Sequence, residues 1–314
     1  MLRYAGSLLS GRYGIFWLLL IMVLLLGVYI PEFRTVGNLV NVLNQSAALA
    51  ILSIGQTFVI VAGLMDLSVG MLIGLIVVIT SDVMQGQSSL TLLAIVAALG
   101  LGLGIGLING VLNNRLRIHP LILTFGMMSV LQGAIFVYTD RSVGKVSPEF
   151  LWMANGTVAG VPFSALMLLA VALLAYVLLN RSRFGQHVYA VGGNEENARR
   201  AGVDTQRIKL LVYLISGFTA AVAGILVAGR LGTGYPNAGA GYELDAIVAV
   251  VLGGTSLAGG RGTIVGTIAA VFVLGITSNG LNLMEISSFV QIFVKGLIVI
   301  LAILINQPRK AVPA

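Results

Sequence analysis

The residues "GIFWLLLIMVLLLGVYI", Gly14 to Ile30, carry no charge over 17 positions. A helix needs about 20 apolar residues to cross a hydrocarbon core about 30 Å thick, so a run of this kind constrains the fold more than any motif does. It does not stand alone. Hydropathy, breaking residues and charges divide the chain into ten candidate crossings, near 14–30, 42–62, 67–85, 90–112, 119–139, 162–180, 209–230, 243–258, 263–283 and 287–305. Only 9% of the residues are charged, against about a quarter in a soluble domain. In lipid a helix satisfies every backbone polar group within its own segment. The expectation is therefore an all-α polytopic membrane protein of about ten transmembrane helices, folded as one transmembrane domain over 1–314. Most of the 40 glycines sit inside apolar runs, where they let helix backbones approach closely. The absence of cysteine excludes disulfides, thiolate metal sites and cysteine nucleophiles.

The first run follows Arg3 and Arg12 as a signal sequence would, but "VYIPEF" offers no small-x-small cleavage site. It reads as an uncleaved anchor that becomes the first span. Only "GLMDLSVG" separates the second and third runs, and only "LAGGRG" the eighth and ninth. Each is either a plain hairpin or a broken, partly re-entrant segment, which is tolerated where protein surrounds it. The Gly-rich turns "DLSVG" and "GGRGTIVG" hint at an internal duplication. With the N-terminus in the cytoplasm, ten crossings put 13 basic residues inside, among them Arg115, Arg117, Arg261, Arg309 and Lys310. Four lie outside: Arg34, Arg141, Lys145 and Arg230. That bias places both termini in the cytoplasm. It also absorbs the net charge of +7, which then implies no nucleic-acid partner.

The inner loop at about 181–209 holds nine of the chain's charged residues. Its second half reads as a short capped helix over 195–201. Asn194 is a good N-cap, Glu195 and Glu196 occupy the first turn, and Arg199 and Arg200 the last, each sign suiting the helix dipole. Gly202 stands where a left-handed C-cap belongs. Two turns of helix need a docking surface to persist. Gly192 and Gly193 ahead of it would leave its direction free, and Ala198 and Ala201 would give it a slim side beside Asn197. Such a knob suits insertion into a cleft of a soluble partner, or else it is an ordinary surface helix on a basic loop.

At these residues the chain resembles a known family. "YAVGGNEENARRAGVDTQRIKLLVYLISGFTAAVAGIL" is similar to the signature loop of permease subunits of bacterial ABC sugar importers, the ribose permease family. "GQTFVIVAGLMDLSVG" and "YELDAIVAVVLGGTSLAGGRGTIVGT" resemble two further family blocks in the same order, and the likeness runs from about 38 to 305. The chain departs from the family pattern at Met65, at His119-Pro120 and at Ala269-Ala270, which leaves the class intact and the substrate open. The resemblance implies a multi-pass subunit of the bacterial inner membrane that dimerises with the same or a sister permease. It would bind ABC ATPase subunits through Gly192–Gly202 and receive a sugar or sugar-like neutral solute from a periplasmic solute-binding protein. The chain itself would perform no chemistry and bind no cofactor or metal; ATP and Mg would belong to the partner ATPase.

The remaining residues fit a passive conduit. There is no G-x-x-x-x-G-K-[ST] to cradle ATP. Asn44, Gln45, Gln56, Thr124, Gln132 and Asn279 are uncharged polar groups in or near spans. As a set they suit a neutral solute path; singly, each reads as interhelical glue worth under about 1–2 kcal/mol. Asp66 reads as a cap or loop anchor facing the cytoplasm, the alternative being a proton or cation site. Glu243 and Asp245 read as first-turn acids of the eighth span, able to line an outer mouth if that span is re-entrant. His119 and His187 lie on separate segments without a third metal ligand. Lys295, in the last span, reads as snorkelling or paired inside the bundle. The competing function is a secondary transporter driven by an ion gradient, which would need an ionisable group in mid-membrane.

Overall fold

The computed structural model describes residues 14–297 except 117, 288, 292 and 295. Most of the last candidate crossing, together with Arg3, Arg12, Arg117, Lys295, Arg309 and Lys310, lies outside the described residues. Twelve helices are described: α1 Gly14–Tyr29, α2 Val36–Val61, α3 Val69–Met84, α4 Thr91–Leu116, α5 Pro120–Tyr138, α6 Pro148–Asn155, α7 Phe163–Asn180, α8 Arg183–Gly193, α9 Glu195–Arg200, α10 Thr205–Leu231, α11 Tyr242–Leu252 and α12 Ile264–Leu283. The only strands among the described residues are the two-residue pair Thr157–Val158 and Val161–Pro162. Among the described residues six helices are long and apolar enough to cross a membrane, and α1 and α3 are shorter apolar helices.

Helices α2 and α10 form the centre. In their most apolar stretches 83% and 72% of residues are buried, against about a fifth in α4, α5 and α7. The composition at the contacts explains which helix goes where. Along α4, Gly102, Gly106 and Gly110 recur every four residues and face α10. A methyl group on Gly106 would lie 2.5 Å from the Tyr213 carbonyl oxygen, and one on Gly217 would lie 2.0 Å from the Gly102 carbonyl oxygen. The two backbones touch, as small residues at four-residue spacing allow in lipid.

Two helices cover only part of the bundle's height. Helix α3 has 16 residues and α11 has 11, about 24 and 16 Å at 1.5 Å per residue. Each follows an irregular segment. Residues 62–68 turn back from the end of α2 into the bundle. Residues 232–241 run down alongside α3: Gly234 lies by Val78, Pro236 by Gly74 and Gly239 by Gly70. Helix α11 then starts part-way in and leads to the loop whose Gly260 N–H donates to Val61 O at 2.9 Å. Both segments are thus re-entrant. The first is the broken alternative that the sequence left open at "GLMDLSVG"; the second lies ahead of α11 and not at "LAGGRG", which turns from α11 to α12 against the end of α2.

The duplication visible in space is not the one the two Gly-rich turns suggested. Long helix α2, an inward turn and half-helix α3 repeat as α10, an inward turn and α11, with the chain running in the opposite direction. Gly63, at φ +76°, and Gly232, at φ +75°, stand in matching places, each turning the chain out of its long helix. "GGRGTIVG" instead joins α11 to α12. Repeats of inverted direction place a site where their broken helices meet.

Candidate functional site

Helix α9 forms as its local chemistry dictates. Asn194 Oδ1 accepts from Asn197 N–H at 2.8 Å, capping its start. Gly202, at φ +86°, ends it in the left-handed conformation that an L side chain resists, and Gly202 N–H donates to Arg199 O at 2.9 Å. The helix is braced rather than free. Glu195 accepts from Lys209 Nζ at 2.7 Å and from Thr205 Oγ1 at 3.1 Å, both on α10. Exposed pairs Glu195–Arg199 and Glu196–Arg200 add little. Partial burial raises the Glu195 carboxyl pKa, but Lys209, Thr205 and Arg199 outweigh it and hold it below the ordinary value.

Two details differ from the sequence reading. Gly192 does not leave the knob's direction free: it ends α8 packed against other backbone, where a methyl group would lie 1.8 Å from Val61 O and 2.7 Å from Gly260 N. Gly193 lies above Gly260 in the same contact. Ala198 is buried in this chain's own core, so the slim side faces inward. The outward face is Glu196, Asn197, Arg199, Arg200, Ala201 and Gly202. Between α9 and the turn joining α4 to α5 lies a polar cleft of about 530 Å³, lined by Asn113, Asn114, His119, Glu195, Arg199 and Lys209 among others.

Asp66 does not face outward. It is 2% exposed and accepts from Ser68 N–H at 3.0 Å, Ser68 Oγ at 2.6 Å and Ser216 Oγ at 2.8 Å. Ser216 is eleven residues into α10, about 16 Å from its start. Gln56 Nε2 donates to Asp66 O at 2.7 Å, Asn109 Nδ2 to Ser68 Oγ at 2.9 Å, and Tyr213 OH to Met65 O at 3.3 Å. Thr124 Oγ1 accepts from Leu67 N–H at 3.1 Å. The first re-entrant turn is thus a hub: the acid ties it to α10, and Asp66 O, Ser68 and Leu67 tie it to α2, α4 and α5. Burial of the carboxyl requires its partners, since an unpaired polar group in such a place is costly.

At the end remote from α9 lies a polar cavity of about 370 Å³. Asn44 and Gln45 of α2, Arg230 of α10, Tyr235 and Asn237 of the second re-entrant segment and Tyr242 of α11 line it. A neighbouring cavity of about 210 Å³ shares Gln45 and Tyr242 and adds Ser46, Asp245 and Ser278. Volumes of this order hold small ligands. Of the six path candidates, the structure brings together Asn44 and Gln45. Gln56 and Thr124 hold the Asp66 turn, as above. Asn279 pairs reciprocally with Asn38, at 2.7 and 2.9 Å, and Gln132 is exposed on the outer face of α5. Arg230 was read only as an outer basic residue, and Tyr235, Asn237 and Tyr242 went unnoticed in the sequence. Their one signal was "GTGYPNAGAGYE", a run too glycine-rich for a span and too apolar for a solvent loop. Among the described residues no three His, Asp or Glu side chains gather to hold a metal.

The profile of a permease family, "Branched-chain amino acid transport system / permease component", matches residues 38–303. The chain belongs to that family. Its transport subunits are not enzymes. The chain is 40% identical over 297 residues to the ribose import permease protein RbsC of Escherichia coli K12, covering 93% of this chain and 92% of that one. Against RbsC of Bacillus subtilis 168 it is 38% identical, covering 96% and 94%. Against the D-allose transport system permease protein AlsC of E. coli K12 it is 34% identical, covering 96% and 93%. No solved structure matches the chain significantly. In this permease family setting, the re-entrant turns, the capped knob and the polar cavity are parts of one transport subunit.

Proposed function

We propose that the chain is the membrane-spanning permease subunit of an ATP-driven importer of a sugar or sugar-like neutral solute. The relatives named for ribose and allose support the substrate class. The basic-residue bias supports ten crossings with both termini cytoplasmic, in a bacterial inner membrane. A solute-binding protein delivers solute at the far end, ABC ATPase subunits dock on the α9 end, and ATP with Mg is bound there and not here. Gln132, with Gly133 open next to it on α5, supports this face for a second permease subunit, since an amide turned to lipid lacks partners.

The observation that carries the reading is mechanical. Helix α9 is clamped to α10 by Glu195–Lys209, and α8 is seated through Gly192 on the end of α2 and the α11–α12 loop. Those four helices, α2, α10, α11 and α12, supply the walls of the polar cavity. A push on α9 therefore reaches the helical walls of the solute site through rigid elements. α10 alone, 27 residues long, spans about 40 Å from knob to cavity. The cavity offers amides, tyrosine rings and the Arg230 side chain, a surface for a molecule with hydroxyl edges and apolar C–H faces.

The test separates docking from folding. Asn197→Trp and Arg200→Glu alter the outward face of α9 and leave Ala198 seated. They should abolish co-purification of the ATPase while the permease still inserts and elutes as a single species. Retention of the ATPase by both variants would refute the docking role.

A further inference from the structure

We propose that a groove beside the central pair is a binding site for an anionic phospholipid, with its acyl chain between α7 and α10 and its headgroup on three arginines. The proposal needs only the membrane placement of these helices and not the transport reading.

Helices α7 and α10 both pack on α2 and leave a gap over it. The gap is an apolar cavity of about 400 Å³. Ile54 and Phe58 of α2 form its floor, and Leu174, Leu178, Leu211 and Phe218 stand along its sides. From Leu211 to Thr219 it follows α10 for about 12 Å. Leu174 is 58% exposed, so the groove opens to the surroundings. Thr219 is its one polar lining residue, and the Thr219 hydroxyl is spent on Ser216 O at 3.0 Å. Nothing in the groove can recognise a polar solute. An acyl chain, slender and apolar, suits it.

The end of the groove says which lipid. Phe184 closes it, stacked on Phe58 with ring centroids 6.2 Å apart. Immediately there, Arg181 caps the end of α7 and Arg183 begins α8, both exposed. Arg207 lies one helical turn before Leu211, on the same side of α10, and is exposed as well. Among the described residues no ion pair engages any of these three side chains. The nearest acid in sequence, Asp204, uses its carboxylate to cap α10 through Arg207 N–H at 3.0 Å. Three unneutralised arginines on both lips of an apolar slot form a site for a negative headgroup above a buried tail. Basic clusters beside membrane helices bind anionic lipids in this way. On the proposed orientation, the headgroup lies in the cytoplasmic leaflet.

The full chain, purified in detergent, is offered equal amounts of dioleoylphosphatidylglycerol and dioleoylphosphatidylcholine, and retained lipid is counted by native mass spectrometry. Preferential retention of the phosphatidylglycerol is expected. Arg181→Gln, Arg183→Gln and Arg207→Gln should each lower it about fivefold and leave phosphatidylcholine unchanged. Ala175→Trp, which fills the groove, should reduce both lipids, whereas Leu92→Trp on an exposed face of α4 should reduce neither. Equal retention of the two lipids by the unaltered chain would mean ordinary surrounding lipid and overturn the proposal. So would a triple arginine variant that keeps its preference, or Ala175→Trp abolishing self-association with lipid retention intact. The arginines are surface side chains, so the result stands on them if Ala175→Trp does not fold.

Discussion

Replacing Gly106 by alanine puts a carbon 2.5 Å from the Tyr213 carbonyl oxygen, where ordinary contact is 3.4–4 Å. The α4 and α10 backbones must then part locally by about 1 Å. The opening cannot stay at one residue, because Gly102 and Gly110 hold the same seam one turn away on either side. A gap of about 0.5–1 Å forfeits a quarter to a half of each dispersion contact, itself about 0.1–0.2 kcal/mol. Summed over three turns, the loss falls in the range of about 1–3 kcal/mol typical of overpacked sites. Alanine's better helix propensity returns at most about 1 kcal/mol. With that return in full, a net loss of up to about 2 kcal/mol remains, as much as a thirtyfold shift in the folded ratio. Gly104 is the control: it is two residues away, and a methyl group there meets nothing within 4 Å. Gly104→Ala should therefore be neutral or stabilising and Gly106→Ala destabilising, although the chemical change is the same. Thermal unfolding of the detergent-purified variants, followed by size-exclusion chromatography, measures both. Equal shifts of the same sign would refute backbone contact as the force that holds α4 to α10.

Further outcomes follow from the hub, the brace and the cavity. Asp66→Ala strands the donors of Ser68 and Ser216 and should lower stability by about 1.5–3 kcal/mol in the same melt, with Asp66→Asn milder. The Glu195 carboxyl is held below its ordinary value, so its contribution is complete above the unfolded pKa of about 4.3 and is lost as pH falls through the lower folded value. Amide exchange in α9 should thus keep its protection at neutral and mildly acid pH, and Lys209→Met should make that protection fail at a higher pH. Gln45→Leu removes an amide shared by both polar cavities and should lower solute uptake in proteoliposomes while leaving ATPase co-purification intact.

What could be read from the sequence was whatever neighbouring residues decide. The knob was legible because Asn194, Glu195, Arg200 and Gly202 sit within nine positions and capping is local. The membrane-spanning, helical character was legible because desolvation punishes charge wherever the partners lie, whereas the half-length of α11 was not. The Gly102–Gly106–Gly110 seam was not, since 40 glycines look alike until Tyr213 and Gly217, over a hundred positions on, arrive against them. Asp66 was misplaced for the same reason: an acid after an apolar run reads as a boundary, and its buried role depends on Ser216. Asn279 looked like a path residue until Asn38 met it across the bundle. Neutral amides serve equally well as glue or as lining, and only the fold assigns Asn44 and Gln45 to a cavity.

The inverted pairing of α2–α3 with α10–α11 also bears on how the knob can act. Each repeat consists of a long helix and a half-helix joined by a turn that lies inside the bundle. The first turn is fastened at Asp66 to α10, the long helix of the second repeat, through Ser216. The second segment lies with Gly239 against Gly70, on the half-helix of the first, where a methyl group would come within 1.8 Å of Gly70 O. Each repeat thus grips the broken part of the other, and neither re-entrant turn can shift alone. On the proposed docking, a force on α9 would enter α10 at Lys209 and reach Ser216 two turns later, at the hub, before the cavity. Loosening the hub should therefore separate the ends: Ser216→Ala should leave ATPase docking on α9 intact and reduce the uptake obtained per ATP hydrolysed. A variant that transports with unaltered stoichiometry would mean that the force bypasses the hub, along the Gly192 contact with α2 instead.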